Sequence, residues 1–337
     1  MTTDTPPPRR KWHLQRWLLL LATGFLAYGG WTQYAFRAAL KEARALGWEL
    51  EYTDPVETIR MSWKNTFRKD TWLDGVTLVV VSEGEEFEQH IAIVHRLNPK
   101  ALVIDNAPTL RDLSVLKPLD RLQSVGLSRF TGLTNLDALK NLFTLQTVSL
   151  HDCTGLTNVD ALKNLSVLQV VSLDGCTGLT NVDALKSLSA LQRVYLNGCT
   201  GLTNLDALKN LAALQSVRLE GCTGLTNVDA LKNLSALQLV SLKDCTALTN
   251  VDGLKSLSAL QQVYLNGCTG LTNVDGLKNL PALQWVSLIG CTGLTNADGL
   301  KNLPALQQVD LRGCTGMSKE RVAALKAALP NAKIHGP

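Results

Sequence analysis

Aromatic residues are scarce in this sequence: Phe, Trp and Tyr make up 5% of its 337 residues, and most of them lie before residue 100. Histidine is rarer still, with five residues, so few side chains suit acid–base catalysis or stacking on nucleic-acid bases. The 33 basic and 29 acidic residues leave a formal net charge of only +4 at pH 7. These shortages argue against a nucleic-acid partner, whereas the 45% hydrophobic composition predicts a packed core.

The cysteines recur at a fixed interval of 23 residues. They are Cys153, Cys176, Cys199, Cys222, Cys245, Cys268, Cys291 and Cys314. They form no C-x-x-C pair and have no histidine cluster nearby, so the sequence predicts neither a metal site nor a cofactor. A fixed period instead predicts stacked coils with one thiol in each. Cysteine is among the most buried residue types, and parallel Cβ vectors suit a disulfide poorly, so we predict free, buried thiols.

Two periodicities meet in one copy of the repeat, residues 168 to 191. Val171 and Leu173 alternate with outward positions, which is the period of two that is typical of a half-buried strand. Apolar residues then recur at every third position from Leu179 to Leu191, the period of a tight 3₁₀-like turn. Each coil is therefore predicted to contain one short strand and one compact return.

These copies resemble the leucine-rich repeat, a signature of apolar residues at fixed offsets followed by asparagine or cysteine. The matching positions of one copy are Leu168, Val171, Leu173, Cys176 and Leu179. The resemblance covers about two thirds of the chain and is to the bacterial branch, which includes internalin-like and envelope-anchored proteins. This chain differs in carrying cysteine where asparagine is usual and 23 residues where about 22 are frequent. The resemblance implies an α/β solenoid of about ten coils with a parallel inner sheet.

The chain divides into five predicted segments. They are a basic cytoplasmic tail (1 to 16), a transmembrane or signal-anchor helix (17 to 36), a linker with an N-terminal α/β cap (37 to 98), the repeats (99 to 317) and a helical C-terminal cap (318 to 337). Caps are expected because a terminal coil would otherwise expose its hydrophobic face.

The cap predictions rest on local patterns at both ends of the repeats. On the N-terminal side, residues 76 to 81 and 101 to 105 are predicted strands on either side of a helix at 85 to 97. On the C-terminal side, Ser318 can cap a helix, and Ile334 falls in the register of a short final strand.

The uncharged segment at 17 to 36 is about 30 Å long as a helix, just enough to cross a bilayer once. Arg9 and Arg10 precede it, which predicts a single-pass protein with a cytoplasmic tail and extracytoplasmic repeats. Glycines weaken the span, and Ala27 and Gly29 suit a signal-peptidase site, so secretion after cleavage and a merely buried helix stay open as alternatives.

Polar residues repeat with the same period and have a structural interpretation. Asp160 and Lys163 stand three residues apart, as do their copies, so the two charges are expected to neutralise each other. Asp160 and its copies are also expected to cap the short turns, and Asn158 and its copies to satisfy backbone groups between coils.

Function is better sought where the near-identical copies differ, at the strand positions that point away from the core. Tyr, Trp and Arg dominate protein interfaces, although each here could simply be part of a solvated sheet. The contact candidates are Arg193, Tyr195, Arg218, Tyr264, Trp285 and Arg312. They predict a membrane-anchored scaffold that binds a protein or peptide on its concave face. The alternative is an envelope glycan binder in which Tyr and Trp platforms act with Asn197 and Asn266.

An enzyme is not predicted. The only unassigned region, residues 53 to 74, is too short for a catalytic domain. His90, His95 and His151 have no evident nucleophile with them.

Overall fold

The computed structural model describes residues 78–82, 95, 100–105 and 111–336. Within them the chain forms one twelve-stranded parallel sheet, in which the strands follow one another in sequence order. The strands are β1 (Leu78–Ser82), β2 (Ala101–Asp105), β3 (Ser124–Ser128), β4 (Thr147–His151), β5 (Val170–Ser172), β6 (Arg193–Tyr195), β7 (Ser216–Arg218), β8 (Leu239–Ser241), β9 (Gln262–Tyr264), β10 (Trp285–Ser287), β11 (Gln308–Asp310) and β12 (Lys333–His335). One α-helix, α1 (Lys319–Ala328), lies between β11 and β12.

The register of the sheet is set by the repeat length. Val194 pairs with Val171 on one side and with Val217 on the other, each 23 residues away. Strands β2 to β11 each come from one coil, which confirms the predicted solenoid of about ten coils. At about 4.8 Å between neighbouring strands, equivalent side chains of successive coils form columns that run across the sheet.

In nine of the described coils, a short 3₁₀ helix forms the return. These helices are Ser114–Leu116, Asp137–Leu139, Asp160–Leu162, Asp183–Ser187, Asp206–Leu208, Asp229–Leu231, Asp252–Leu254, Asp275–Leu277 and Asp298–Leu300. Leu202, Leu205, Leu208 and Leu211 show how the three-residue period works, because all four are almost completely buried. Burial of one leucine contributes roughly 1.5–3 kcal/mol, and that contribution requires a neighbouring coil on each side.

Asparagine, rather than aspartate, provides the cap of these returns. The N-cap residue of the third helix is Val159, so Asp160 is the first residue inside it. The Asp160 N–H donates to Asn158 Oδ1 at 3.2 Å, and the other copies repeat this bond. The expectation that aspartate caps the turn was therefore wrong. Asparagine satisfies a backbone group, as expected, but within its own coil rather than between coils, because its side chain reaches two residues ahead.

The expected neutralisation of aspartate by lysine is confirmed at several coils. Lys209 Nζ lies 3.1 Å from Asp206 Oδ1, and Lys301 Nζ lies 2.7 Å from Asp298 Oδ1. These pairs are largely exposed to solvent, so each contributes little to stability.

Proline changes the loop after the return in two late coils. In an earlier coil the Ser235 N–H donates to the Asn233 carbonyl oxygen at 3.0 Å. Pro281 occupies the position equivalent to Ser235 and has no N–H, and a residue that precedes proline avoids the helical region. The chain instead turns at Asn279, which has a φ of 61°, and Asn302 before Pro304 has the same φ.

The returns of the later coils also pack more closely. Glycine stands at positions 253, 276 and 299, where earlier coils have alanine, as at Ala230. A Cβ atom added to Gly276 would overlap the carbonyl oxygen of Val251 in the preceding coil. Glycine therefore permits a close approach that alanine would prevent.

The predicted helix and final strand at the C-terminal end are confirmed. The hydroxyl of Ser318 accepts a hydrogen bond from the Arg321 N–H at 3.3 Å, which caps α1. Val322 and Leu325 of α1 are buried against the core, and β12 pairs with β11.

At the N-terminal end, β1 and β2 confirm the two predicted strands, and β1 begins at Leu78 in the described residues. His95 is helical, and its Nε2 donates to the carbonyl oxygen of Val115 at 2.6 Å. The remainder of the helix predicted at 85 to 97, the basic tail, the segment at 17 to 36 and most of 37 to 98 lie outside the described residues. Among the residues that are described, no helix is both long and apolar enough to cross a membrane.

Candidate binding face

The side chains that alternate with the core residues along β2 to β12 form one side of the sheet, which we call the sheet face. Some of its small side chains, such as Ser241 and Ser287, are themselves buried. Because the strands are parallel and in register, the sheet face consists of three columns that run across the sheet. The first column over β6 to β10 contains Arg193, Ser216, Leu239, Gln262 and Trp285. The middle column contains Tyr195, Arg218, Ser241, Tyr264 and Ser287. The third column contains Asn197, Glu220, Lys243, Asn266 and Ile289.

All six contact candidates from the sequence lie on the sheet face or at its edge. Arg193, Arg218 and Arg312 are exposed, and Tyr195 and Tyr264 are half-buried. Trp285 is 37% exposed, and it is one of three large hydrophobic side chains that are exposed among the described residues. The alternation predicted for the strands therefore places these side chains together on one surface.

Two tyrosines of the middle column stack with cations from neighbouring strands. The guanidinium carbon of Arg218 lies 5.3 Å from the centre of the Tyr195 ring, and Lys243 Nζ lies 5.4 Å from that of Tyr264. The Tyr264 hydroxyl also donates to Gln262 Oε1 at 3.1 Å. Each cation–π contact is worth about 0.5–1 kcal/mol at an exposed site, so these contacts orient the rings before any ligand arrives.

Hydrogen bonds between coils hold the third column in place. Asp174 Oδ1 accepts from the Asn197 N–H at 2.8 Å, and Asn197 Oδ1 accepts from the Glu220 N–H at 2.8 Å. Glu220 in turn accepts from the Ser241 hydroxyl at 2.8 Å and lies 3.3 Å from Lys243 Nζ. Asn197, Glu220 and Lys243 of this column are therefore already engaged with the scaffold.

Two further acids of the sheet face pair with arginines at its ends. The Arg312 guanidinium donates to both carboxylate oxygens of Asp310, at 2.7 to 3.1 Å. The hydrogen bonds from Arg312 hold the pKa of the Asp310 carboxyl below its usual range. Arg129 makes a similar pair with Asp105, at 3.0 Å to each oxygen.

These pairings leave the centre of the sheet face with two uncompensated positive charges. Within the described part of the chain, neither Arg193 nor Arg218 forms a salt bridge with a carboxylate. The sequence identified both arginines but missed the roles of Glu220 and Lys243. No signal in the sequence could have shown those roles, since they depend on which side chains meet across adjacent coils.

The thiols form a buried column behind this face. All eight cysteines are free and fully buried, as predicted from the repeat. Burial raises the pKa of the Cys199, Cys245 and Cys268 thiols to about 12, so they stay protonated at neutral pH. A protonated thiol is a poor nucleophile, so these three thiols support the fold and supply no reactive group.

Comparison with known proteins agrees with the repeat architecture described above. The family model described as BspA type leucine-rich repeat region matches residues 123–238 and 195–318, together more than half of the chain. No curated protein matches the sequence.

Solved structures of bacterial repeat proteins align with the chain over long stretches. The Listeria monocytogenes internalin InlF is 16% identical over 74% of this chain and 84% of its own, with a TM-score of 0.44. Internalin C2 from the same species is 26% identical over 57% of this chain and 81% of its own, with a TM-score of 0.47. A leucine-rich repeat protein of Leptospira interrogans is 16% identical over 76% of this chain and 89% of its own, with a TM-score of 0.36.

Proposed function

We propose that this chain, which belongs to the BspA-type leucine-rich repeat family, is a non-enzymatic scaffold that binds a protein or peptide on the sheet face, the concave side of the solenoid. One observation carries the proposal: the columns that build the coils are nearly constant, whereas the columns of the sheet face change from coil to coil. The core columns meet the same packing requirement in every coil, whereas the sheet face has no such requirement and can present different side chains from coil to coil.

The chemistry of the sheet face supports a protein partner. Exposed Arg193, Arg218 and Trp285 surround half-buried tyrosines, and these residue types most often dominate protein interfaces. The cation–π contacts and the hydrogen-bonded third column restrain the side chains, so less conformational entropy is lost on binding.

Capture of a partner from envelope extracts by the immobilised full chain tests the proposal. Replacement of Tyr195, Tyr264 and Trp285 together by alanine is expected to abolish capture while the circular dichroism spectrum is retained. The matched control replaces Phe143 and Val167, two exposed apolar residues outside the strands, and is expected to capture normally. Equal capture by the triple variant and the native chain would contradict the proposal.

A glycan ligand is the second candidate, and one observation favours it. Asn266 Oδ1 is buried and has no hydrogen-bond partner in the described structure, and it lies in the coil of Tyr264. An amide beside an aromatic ring suits a sugar hydroxyl and the apolar face of a pyranose. Asn197, by contrast, already bonds to Glu220. A glycan array probed with the full chain separates the two candidates.

We also propose that residues 17 to 36 anchor the chain in the membrane and place the repeats outside the cytoplasm. The proposal rests on the length of the uncharged segment and on the basic residues before it. Protease added to intact spheroplasts is expected to digest the repeats. Digestion only after lysis would place the repeats on the cytoplasmic side and contradict the proposed orientation.

A further inference from the structure

We infer that the sheet face binds an extended acidic peptide that crosses strands β6 to β10, with its acidic side chain between Arg193 and Arg218 and its apolar side chains at Leu239 and Trp285. This inference rests on the proposed function and names the chemistry of the partner.

The acidic position follows from the charges. Arg193 and Arg218 are exposed, lie on adjacent strands and have no salt-bridge partner among the described residues. Ser216, a small residue, lies beside Arg193 in the first column and two residues before Arg218 on β7. Because the Arg218 guanidinium stacks on Tyr195, two residues after Arg193 on β6, a carboxylate above β6 can accept hydrogen bonds from both guanidinium groups. Such bonds are stronger than bonds between neutral groups.

The remaining acids of the face do not compete for this position. Glu220 is held by Ser241 and Lys243, Asp310 by Arg312, and Asp174 by the Asn197 backbone. Arg218 also stacks on Tyr195, which keeps its guanidinium close to β6 and the Arg193 side of the face. The two arginines are therefore available to bind an anionic group of a ligand.

The apolar positions follow from the spacing of the first column. Arg193, Leu239 and Trp285 lie on β6, β8 and β10, so neighbouring members are two strands, or about 9.6 Å, apart. In a β-strand, side chains three positions apart point to opposite faces. An extended peptide in the polyproline II conformation has three residues per turn and advances about 3.1 Å per residue, so its side chains three positions apart lie on one side, about 9.3 Å apart. The less bulky polar residues Ser216 and Gln262 separate these anchors. The expected ligand thus carries one acidic residue and two apolar residues, each three positions apart.

Fluorescence anisotropy with synthetic peptides tests this inference on the full chain in mild detergent. The probe is a labelled nonapeptide, Gly-Glu-Gly-Ser-Leu-Ser-Gly-Phe-Gly, and its sequence reversal covers the other direction of binding. At least one of the two is expected to bind, and replacement of its glutamate by glutamine is expected to weaken binding about tenfold. Insertion of one glycine before the leucine is expected to weaken binding because it breaks the spacing.

Charge exchange provides the matched variants. Arg193→Glu and Arg218→Glu are each expected to weaken binding of the glutamate peptide about tenfold, and the double variant to prefer a peptide with lysine in its place. That reversal also shows that the double variant is folded. Lys232→Glu makes the same charge change on an exposed return and is expected to leave binding unchanged.

Four results would overturn the inference. Equal binding of the glutamate and glutamine peptides would show that the face does not recognise an acidic side chain. If Lys232→Glu weakened binding as much as Arg193→Glu or Arg218→Glu, the effect would be long-range electrostatic attraction rather than a specific contact. Binding of oligogalacturonate, but of neither peptide, would assign the arginines to an acidic glycan. If the peptides fail while the Tyr195, Tyr264 and Trp285 variant still loses the captured partner, the proposed function stands and only the acidic chemistry is wrong.

Discussion

The Cys222 thiol donates a hydrogen bond to the carbonyl oxygen of Leu196 in the preceding coil, with the sulfur 3.1 Å from the oxygen. The same oxygen accepts from the Cys199 N–H of its own coil at 3.2 Å. Each cysteine repeats the contact to the coil before it, with sulfur–oxygen distances from 2.9 Å at Cys291 to 3.8 Å at Cys153. The thiol column therefore joins neighbouring coils by weak hydrogen bonds as well as by packing.

Substitution of Cys222 distinguishes these two contributions. Cys222→Ala loses the hydrogen bond and part of the packing, and we expect the free energy of unfolding to fall by about 1–2 kcal/mol. Cys222→Ser keeps a donor for Leu196, so it is expected to be at least as stable as the alanine variant in urea denaturation. At Cys153, where the sulfur–oxygen distance is longer, the serine variant is expected to exceed the alanine variant in stability by less than at Cys222. A serine variant at position 222 that is clearly less stable than alanine would make the thiol a packing group only.

Alkaline pH is expected to destabilise the solenoid through these thiols. In the folded chain the pKa of Cys199 is raised to about 12, whereas an unfolded thiol ionises near about 8.5. Because the folded state holds the proton more tightly, the contribution to stability is full below about pH 8.5 and is lost as the pH rises toward 12. The expected slope is about 1.4 kcal/mol per pH unit for each such thiol.

Urea denaturation at pH 8 to pH 10.5 measures that slope. Lysine and tyrosine also titrate at high pH, so the native chain is compared with Cys199→Ala, which has the same other groups. The variant is expected to have a slope smaller by one thiol's contribution. Identical slopes would show that Cys199 ionises as easily in the folded chain as in the unfolded one.

Gly276→Ala is expected to destabilise the chain by about 1–3 kcal/mol, because the new methyl group would overlap the Val251 carbonyl oxygen. A glycine-to-alanine change at an unstrained site ordinarily stabilises by about 0.4–1 kcal/mol, so the sign of the effect is diagnostic. The reverse exchange in an earlier coil, Ala230→Gly, removes a buried methyl group and is expected to cost about 1 kcal/mol. A Gly276→Ala variant with a raised midpoint of denaturation would show that the later returns are not closely packed.

Asn279 is expected to be sensitive to β-branched residues because its φ is 61°. Asn279→Ile should cost about 1–2 kcal/mol, whereas Asn279→Gly should be neutral or slightly stabilising. Asn233 stands at the equivalent position of a coil without proline and has no positive φ. Asn233→Ile is therefore expected to lower the melting temperature much less than Asn279→Ile. Equal decreases in melting temperature at the two positions would show that Pro281 does not cause the turn at Asn279.

The sequence predicted those features that depend on the repeat itself. The 23-residue period fixes the strand register, the burial of Cys222 and the position of Tyr264 on the sheet face, because each coil meets the same environment. The pairings of individual side chains were not predictable. That Arg312 pairs with Asp310 while Arg218 stacks on Tyr195 depends on the rotamers available across adjacent strands, which no period encodes. The asparagine caps were missed because aspartate and asparagine both suit such turns, and only the local geometry selects one of them.

Because β2 to β11 stack in register, the length of the sheet can change by whole coils, one strand at a time. Duplication of a single copy between Arg193 and Trp285 would separate those two side chains by one further strand, about 4.8 Å, without new packing elsewhere. Gain or loss of whole copies in the gene can thus change the spacing of the side chains on the sheet face in fixed steps, while the packing of the core stays the same.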